Sequence, residues 1–162
     1  MSRIYRVLRD RYAGNPFHGE GAYRYGGRWS SSGTHLSYTS EHQSLALLEY
    51  FVHVDNEDAP TDLVLAVAEV QDHLPQERVK VAQLPANWRN PVPPPELAAI
   101  GDEFARRREA CILLVPSALA STEYNWLVNP SHPDANKIVP LAPEPVSYDP
   151  RMFGKKRAPR RR

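Results

Sequence analysis

Leu63-Val64-Leu65-Ala66-Val67-Ala68-Glu69-Val70 is an apolar run that nears its end before meeting a charge. It shows no alternation of polar and apolar residues, so it predicts a strand buried on both faces. A second such strand is expected at Cys111–Val115, stopped by Pro116, and a third at Trp126–Val128, ended by Asn129-Pro130. Upstream, Ile4–Leu8 and His35–Thr39 read as further strands. Between them, residues 12–27 carry Gly14, Gly19, Gly21, Gly26 and Gly27 and read as loop that brings backbone close to something.

Helical periodicity appears twice. Ser40 with Gln43 three residues on forms a capping-box pattern, followed by Leu45, Leu48, Phe51 and Val52 on one stripe. That helix is expected to run to about Val54. Glu96–Glu109 reads as a second helix, with Leu97, Ile100 and Phe104 inward. Its Arg106-Arg107-Arg108 run complements a helix C-terminus and is read as structural. The prolines at 91, 93, 94 and 95 mark an extended connection within one domain. A short helix at Asp134–Lys137 and a strand at Ile138–Leu141 complete an α/β or α+β domain.

The 162 residues, 41% hydrophobic and 24% charged, fit one soluble globular domain. No apolar run approaches a membrane span, and the N-terminus lacks the layout of a secretory signal. A cytoplasmic protein without membrane contact is expected, and the single Cys111 agrees with a reducing compartment. The net charge of +1 conceals an asymmetry: the last eight residues hold six cations. Without them, 14 Lys and Arg face 19 Asp and Glu, a net of −5. Residues 1–150 therefore read as the domain and 151–162 as a basic tail. An acidic body argues against a nucleic-acid-binding domain as a whole.

Four places could carry chemistry. Gly26-Gly27-Arg28-Trp29 pairs two glycines with a guanidinium that can fork onto phosphate, though a tight turn beside a core Trp reads equally from these residues. Tyr38 ends a strand. Glu49 borders the apolar stripe of its helix, with His53 one turn on, an arrangement that also suits a surface ion pair. Ser117 follows a strand, where a turn or helix cap is the ordinary reading, and no Gly-x-Ser-x-Gly elbow surrounds it. The six histidines show no paired metal-ligand spacing, and no phosphate-binding loop or dinucleotide fingerprint is present. No metal is expected.

Taken in order, the pieces resemble the RES domain toxin family of Xre/RES-type toxin–antitoxin systems. The resemblance rests on Ile4-Tyr5-Arg6, Phe17-His18-Gly19-Glu20-Gly21, Gly26-Gly27-Arg28-Trp29, Gly33-Thr34, Tyr38-Thr39-Ser40, Ala46-Leu47-Leu48-Glu49, Val115-Pro116-Ser117 and Asn129-Pro130-Ser131-His132-Pro133. Ser30 departs from it, since members often carry Asn after the Trp. The family implies an α+β, ADP-ribosyltransferase-like fold, with a split, curved sheet around an NAD cleft. It implies a toxin that cleaves the nicotinamide–ribose bond of NAD⁺ and depletes it, with Arg28, Tyr38, Glu49 and Ser117 as catalytic residues. Arg6, His53 and Asn129 match family positions around the cleft and join Arg28, Tyr38 and Ser117 as expected NAD contacts. The implied partner is an Xre-like helix-turn-helix antitoxin that blocks the cleft in a hetero-oligomer, with DNA bound only through the antitoxin.

Two other readings compete. One is mono-ADP-ribosylation of a protein target. The other is a non-enzymatic interaction module that uses the basic tail and so depends on residues 155–162 instead of Glu49.

Overall fold

The computed structural model describes residues 1–55 and 59–153; the basic run at 155–162 lies outside the described residues. In chain order the elements are β1 (Ser2–Arg9), α1 (Glu20–Tyr25), β2 (Ser37–Ser40), α2 (Gln43–Phe51), β3 (Leu63–Val70), β4 (Gln76–Arg78), α3 (Pro95–Arg107), β5 (Ile112–Pro116), β6 (Tyr124–Val128), β7 (Val139–Pro140) and β8 (Glu144–Pro145). The class is α+β. The sheet runs β4-β5-β6-β2-β1-β3-β7, with β8 on β3, and only β4–β5 is parallel.

One joint in this sheet is weak. β1 pairs with β3 along its whole length, from Ser2↔Val70 to Arg9↔Leu63, whereas it meets β2 at the single pair Tyr5↔Ser40. The sheet is thus split there into a β1/β3 half and a β2/β6/β5/β4 half. That division lies beside the residues that the sequence marks as chemical.

One face of the sheet buries a layer shared by both halves, and the other face buries a separate layer on each. Val64, Ala66, Ala68 and Val70 of β3 point into one cluster with Ile4, Leu8, Ile112 and Leu114. Leu63, Leu65 and Val67 point the other way, against Ala46 of α2. Strand alternation with both faces covered accounts for the unbroken apolar run. α3 closes the other half through Leu97 and Phe104 on Leu113, Val115 and Leu127, with Trp29 and Leu36 in the same cluster.

Several sequence expectations shift. Ser40 is not a helix cap: it ends β2, and its hydroxyl donates to Asn125 Oδ1 at 2.8 Å. The helix starts at Gln43 after an extended His42 with no side-chain cap, and it stops at Phe51, not Val54. A strand partner for Ser40 outcompetes a local capping bond. The glycine-rich stretch is not all loop, because α1 forms between two glycines of positive φ, Gly19 (78°) and Gly26 (70°). The short edge strands β4 and β8 carry too few residues to show a period. Pro95 occupies the first turn of α3, where its missing N–H costs nothing. Among the described residues, no helix is long and apolar enough to cross a membrane.

Candidate active site

The arginine loop is shaped by what it packs against. Gly26 has φ +70°, and a Cβ there would stand 3.1 Å from the Ser30 carbonyl oxygen. A Cβ on Gly27 would meet the Tyr38 hydroxyl at 2.7 Å. The glycine pair therefore lets the backbone turn and lets the Tyr38 ring lie directly on it. Tyr38 Oη accepts the Trp29 N–H at 3.0 Å and shares a 2.7 Å bond with Ser30 Oγ. Ser30, the departure from the family pattern, is thus a buried partner of the tyrosine. Trp29 is almost fully buried, and α3 holds the rest of the loop through Asp102, which accepts the Ser31 N–H at 2.9 Å and the Thr34 hydroxyl at 2.8 Å.

Burial pushes the Tyr38 phenol up to about 12, against the hydrogen bonds from Ser30 and Trp29 that pull it down. It stays protonated at neutral pH and cannot serve as a base there. Tyr38→Phe keeps the ring but leaves the Trp29 N–H without its acceptor, at an expected cost of about 1–3 kcal/mol in urea denaturation.

Asp102 gives a pH signature. Its burial acts to raise the pKa, but the hydrogen bonds from Ser31 and Thr34 outweigh this and hold it below the ordinary 3.8. A carboxylate depressed on folding stabilises the native state above its ordinary value, and that stability is lost as pH falls through the lowered one. Wild type should exceed Asp102→Ala by about 1–2 kcal/mol at pH 6. The difference should shrink as pH falls below 3.8, which urea midpoints across that range would measure.

Arg28 is half-buried, and its Nη1 donates to the carbonyls of Trp88 (2.8 Å) and Asn90 (2.9 Å). Among the described residues, Nε and Nη2 have no hydrogen-bond partner. Burial lowers the guanidinium pKa, and the Glu49 carboxylate is the leading charge opposing that shift. The Arg28 guanidinium therefore lies within electrostatic range of that carboxylate. They form no direct ion pair among the described residues.

Glu49 is held by one oxygen. Its Oε1 accepts Ser117 Oγ at 2.9 Å and Asn125 Nδ2 at 2.6 Å, while Oε2 has no recorded bond among the described residues. Ser117 is fully buried, and its Oγ also accepts the N–H groups of Leu119 and Ala120, both at 3.1 Å. With its proton on Glu49 and its oxygen engaged twice, this hydroxyl is a positioning group and not a nucleophile. Asn125 was not foreseen; its Oδ1 is fixed by Ser40, so the amide is aimed at Glu49. The strand expected from the sequence begins at Trp126, one residue later, so no sequence signal marks Asn125.

The other expected contacts are placed differently. Arg6 donates to Ser37 Oγ at 2.9 Å, and burial lowers its pKa. By strand alternation it shares a face with Ile4, Leu8 and Ser37, whereas Tyr38, Ser40 and Asn125 point to the other. His53 is exposed in the turn after α2, with no recorded contact to Glu49. Asn129 is buried, donates to the Ala105 carbonyl at 3.1 Å and accepts the Ser131 N–H at 3.0 Å, tying α3 to the turn after β6. The structure thus brings together Arg28, Tyr38, Glu49 and Ser117, and adds Asn125. A hollow of about 420 Å³ between β4 and α3 is a poorer candidate, because its Glu77 and Arg107 pair with each other at 2.7 Å.

The family described as RES domain matches residues 3–149. Toxin Res of Yersinia enterocolitica is 33% identical over 153 residues, covering 92% of this chain and 98% of that protein. The Prs ADP-ribosylating toxin of Sphingobium is 33% identical over 156 residues, covering 94% and 97%. Among solved structures, the MbcT–MbcA toxin–antitoxin complex of M. tuberculosis aligns with a TM-score of 0.70 at 17% identity, over 94% of this chain and 86% of that one. That likeness establishes the fold, a mixed α+β domain. The chain belongs to the RES domain family.

Proposed function

We propose that the chain is the toxin of a toxin–antitoxin pair, and that it takes NAD⁺ as substrate and breaks the bond between nicotinamide and ribose. The observation that carries this reading is Glu49. It is anchored through one carboxylate oxygen by Ser117 and Asn125, with the other oxygen uncommitted and the Arg28 guanidinium within its electrostatic reach.

The residues fit a dinucleotide. Arg28 retains two nitrogen positions for the pyrophosphate, and Glu49 Oε2 can accept a ribose hydroxyl or the proton of an incoming nucleophile. The ring of Tyr38 offers an apolar surface for nicotinamide, its hydroxyl being spent on the loop. In the reaction the C–N bond at the ribose breaks, and its electron pair neutralises the cationic nicotinamide ring. Water or phosphate supplies the oxygen that bonds the ribose carbon and gives up a proton. Positive charge grows on the ribose as in glycoside hydrolysis, and a fixed carboxylate stabilises it. No general acid is needed, because the leaving group departs neutral.

The domain is assigned to residues 1–150 and the tail to 151–162. An Xre-like antitoxin covering the cleft, in a cytoplasmic hetero-oligomer, is the partner; the toxin–antitoxin complex among the structural relatives supports a protein partner of that kind. His53, exposed in the turn after α2, is retained as a lesser NAD contact, whereas Arg6, on the opposite sheet face, and Asn129, buried against α3, are not. The name of the Sphingobium relative favours a second reading, transfer of ADP-ribose to a protein.

Incubating the purified chain with NAD⁺ and no other protein separates the two. Free nicotinamide with free or phosphorylated ADP-ribose supports cleavage. Turnover only when an acceptor protein is added supports transfer. No turnover in either case would overturn both.

A further inference from the structure

We propose that His18, Glu20 and His35 form a binding site for a zinc-class divalent cation, separate from the Arg28–Glu49 site. One ligand atom from each of the three lies within 4.8 Å of the others, and His35 Nε2 stands 3.4 Å from Glu20 Oε2. Tetrahedral zinc bonded at about 2.0–2.2 Å holds its ligand atoms about 3.3 Å apart. The His35–Glu20 separation already has that value, and the widest separation needs to close by only about 1.5 Å. Two imidazoles and one carboxylate are a recurrent three-ligand zinc set, with the fourth position left to water.

The backbone brings these residues together. Gly19, between His18 and Glu20, has φ +78°, and a Cβ there would stand 2.8–3.0 Å from three backbone atoms of Leu36. Only glycine permits so close an approach, which sets the 18–20 segment against the residue next to His35. Tyr23 stacks on the His35 ring at 4.2 Å and 17°, with the His18 ring 5.4 Å from it. Arg24 Nε donates to Glu20 Oε1 at 2.8 Å, leaving Oε2 toward His35. Contacts of this kind orient metal ligands. His18 and Glu20 are exposed and His35 half-exposed, so a hydrated ion can reach them.

A second group, Glu41, His42 and Glu123, has the spacing but offers a single imidazole, and its Glu41 Oε1 already accepts the Tyr124 N–H at 2.6 Å. The first group is the better match to a zinc-class ion.

The test is a calorimetric and thermal-melting titration of the untagged full chain with Zn²⁺. Wild type should bind one ion, and its melting temperature should rise by about 5 °C at a hundredfold excess over Kd. His18→Ala, and His18→Ala with His35→Ala, should lose at least about tenfold in affinity and most of the rise, each measured from its own metal-free melting temperature. His42→Ala should behave as wild type. Absence of a rise in wild type would overturn the site. So would a rise that survives both histidine substitutions, or one abolished by His42→Ala, because either outcome places the ion elsewhere.

Discussion

Glu49→Gln is expected to cut nicotinamide release from NAD⁺ by about 10²–10³-fold, the effect typical of removing one fixed electrostatic group from a reacting centre. The substitution isolates charge from shape. A glutamine carbonyl oxygen can still accept from Ser117 and Asn125, as Oε1 does, so the side chain keeps its anchor. What changes is the uncommitted atom, which becomes an N–H donor without negative charge. Melting should move little, because Glu49 is only partly buried and keeps both bonds. Initial rates at saturating NAD⁺, beside a thermal melt, measure both. A Glu49→Gln protein with the wild-type rate would show that the carboxylate does no chemistry.

The largest expected loss of stability is at a residue far from Glu49 in the chain. Gly101 lies in α3, and in an ordinary helix interior alanine would be favoured there by about 1 kcal/mol. Here a Cβ would stand 1.7 Å from the Trp29 carbonyl oxygen and 3.2 Å from the Leu36 side chain. The obstacle at 1.7 Å is backbone, which cannot rotate aside. Gly101→Ala should therefore destabilise by about 3 kcal/mol or more, the upper range of overpacking, as read from urea midpoints. Displacing Trp29 also displaces its neighbour Arg28, so activity should fall in the residual folded protein. A neutral or stabilising Gly101→Ala would mean that the arginine loop does not dock on α3 in this way.

These two sites show what a linear sequence can and cannot convey. Leu63–Val70 was legible because burial on both faces leaves a continuous apolar run. α3 was legible because its apolar stripe recurs at helical spacing, although its first residue, Pro95, was read as part of the extended connection before it. Arg28, Tyr38, Glu49 and Ser117 were legible only as an ordered set resembling a family, since each alone reads as a turn, a core residue or a surface charge. Ser40 misled because a local capping pattern and a strand end use the same residue type, and the deciding partner, Asn125, is 85 positions away. Gly101 gave no sign, because its role depends on a backbone carbonyl that no motif encodes. His53 was placed beside Glu49 by extending helical spacing past Phe51, where the helix ends.

The proposed chemistry depends on a guanidinium from the glycine-rich loop and a carboxylate from α2 acting on one dinucleotide. Calorimetric titration of NAD⁺ into Glu49→Gln, and into the same protein with Arg28→Ala added, tests this most directly. The first should bind NAD⁺ without consuming it, and the second should bind at least about tenfold more weakly, having lost its forked contact to phosphate. Equal affinity in the two folded proteins, or no binding to the first, would contradict it.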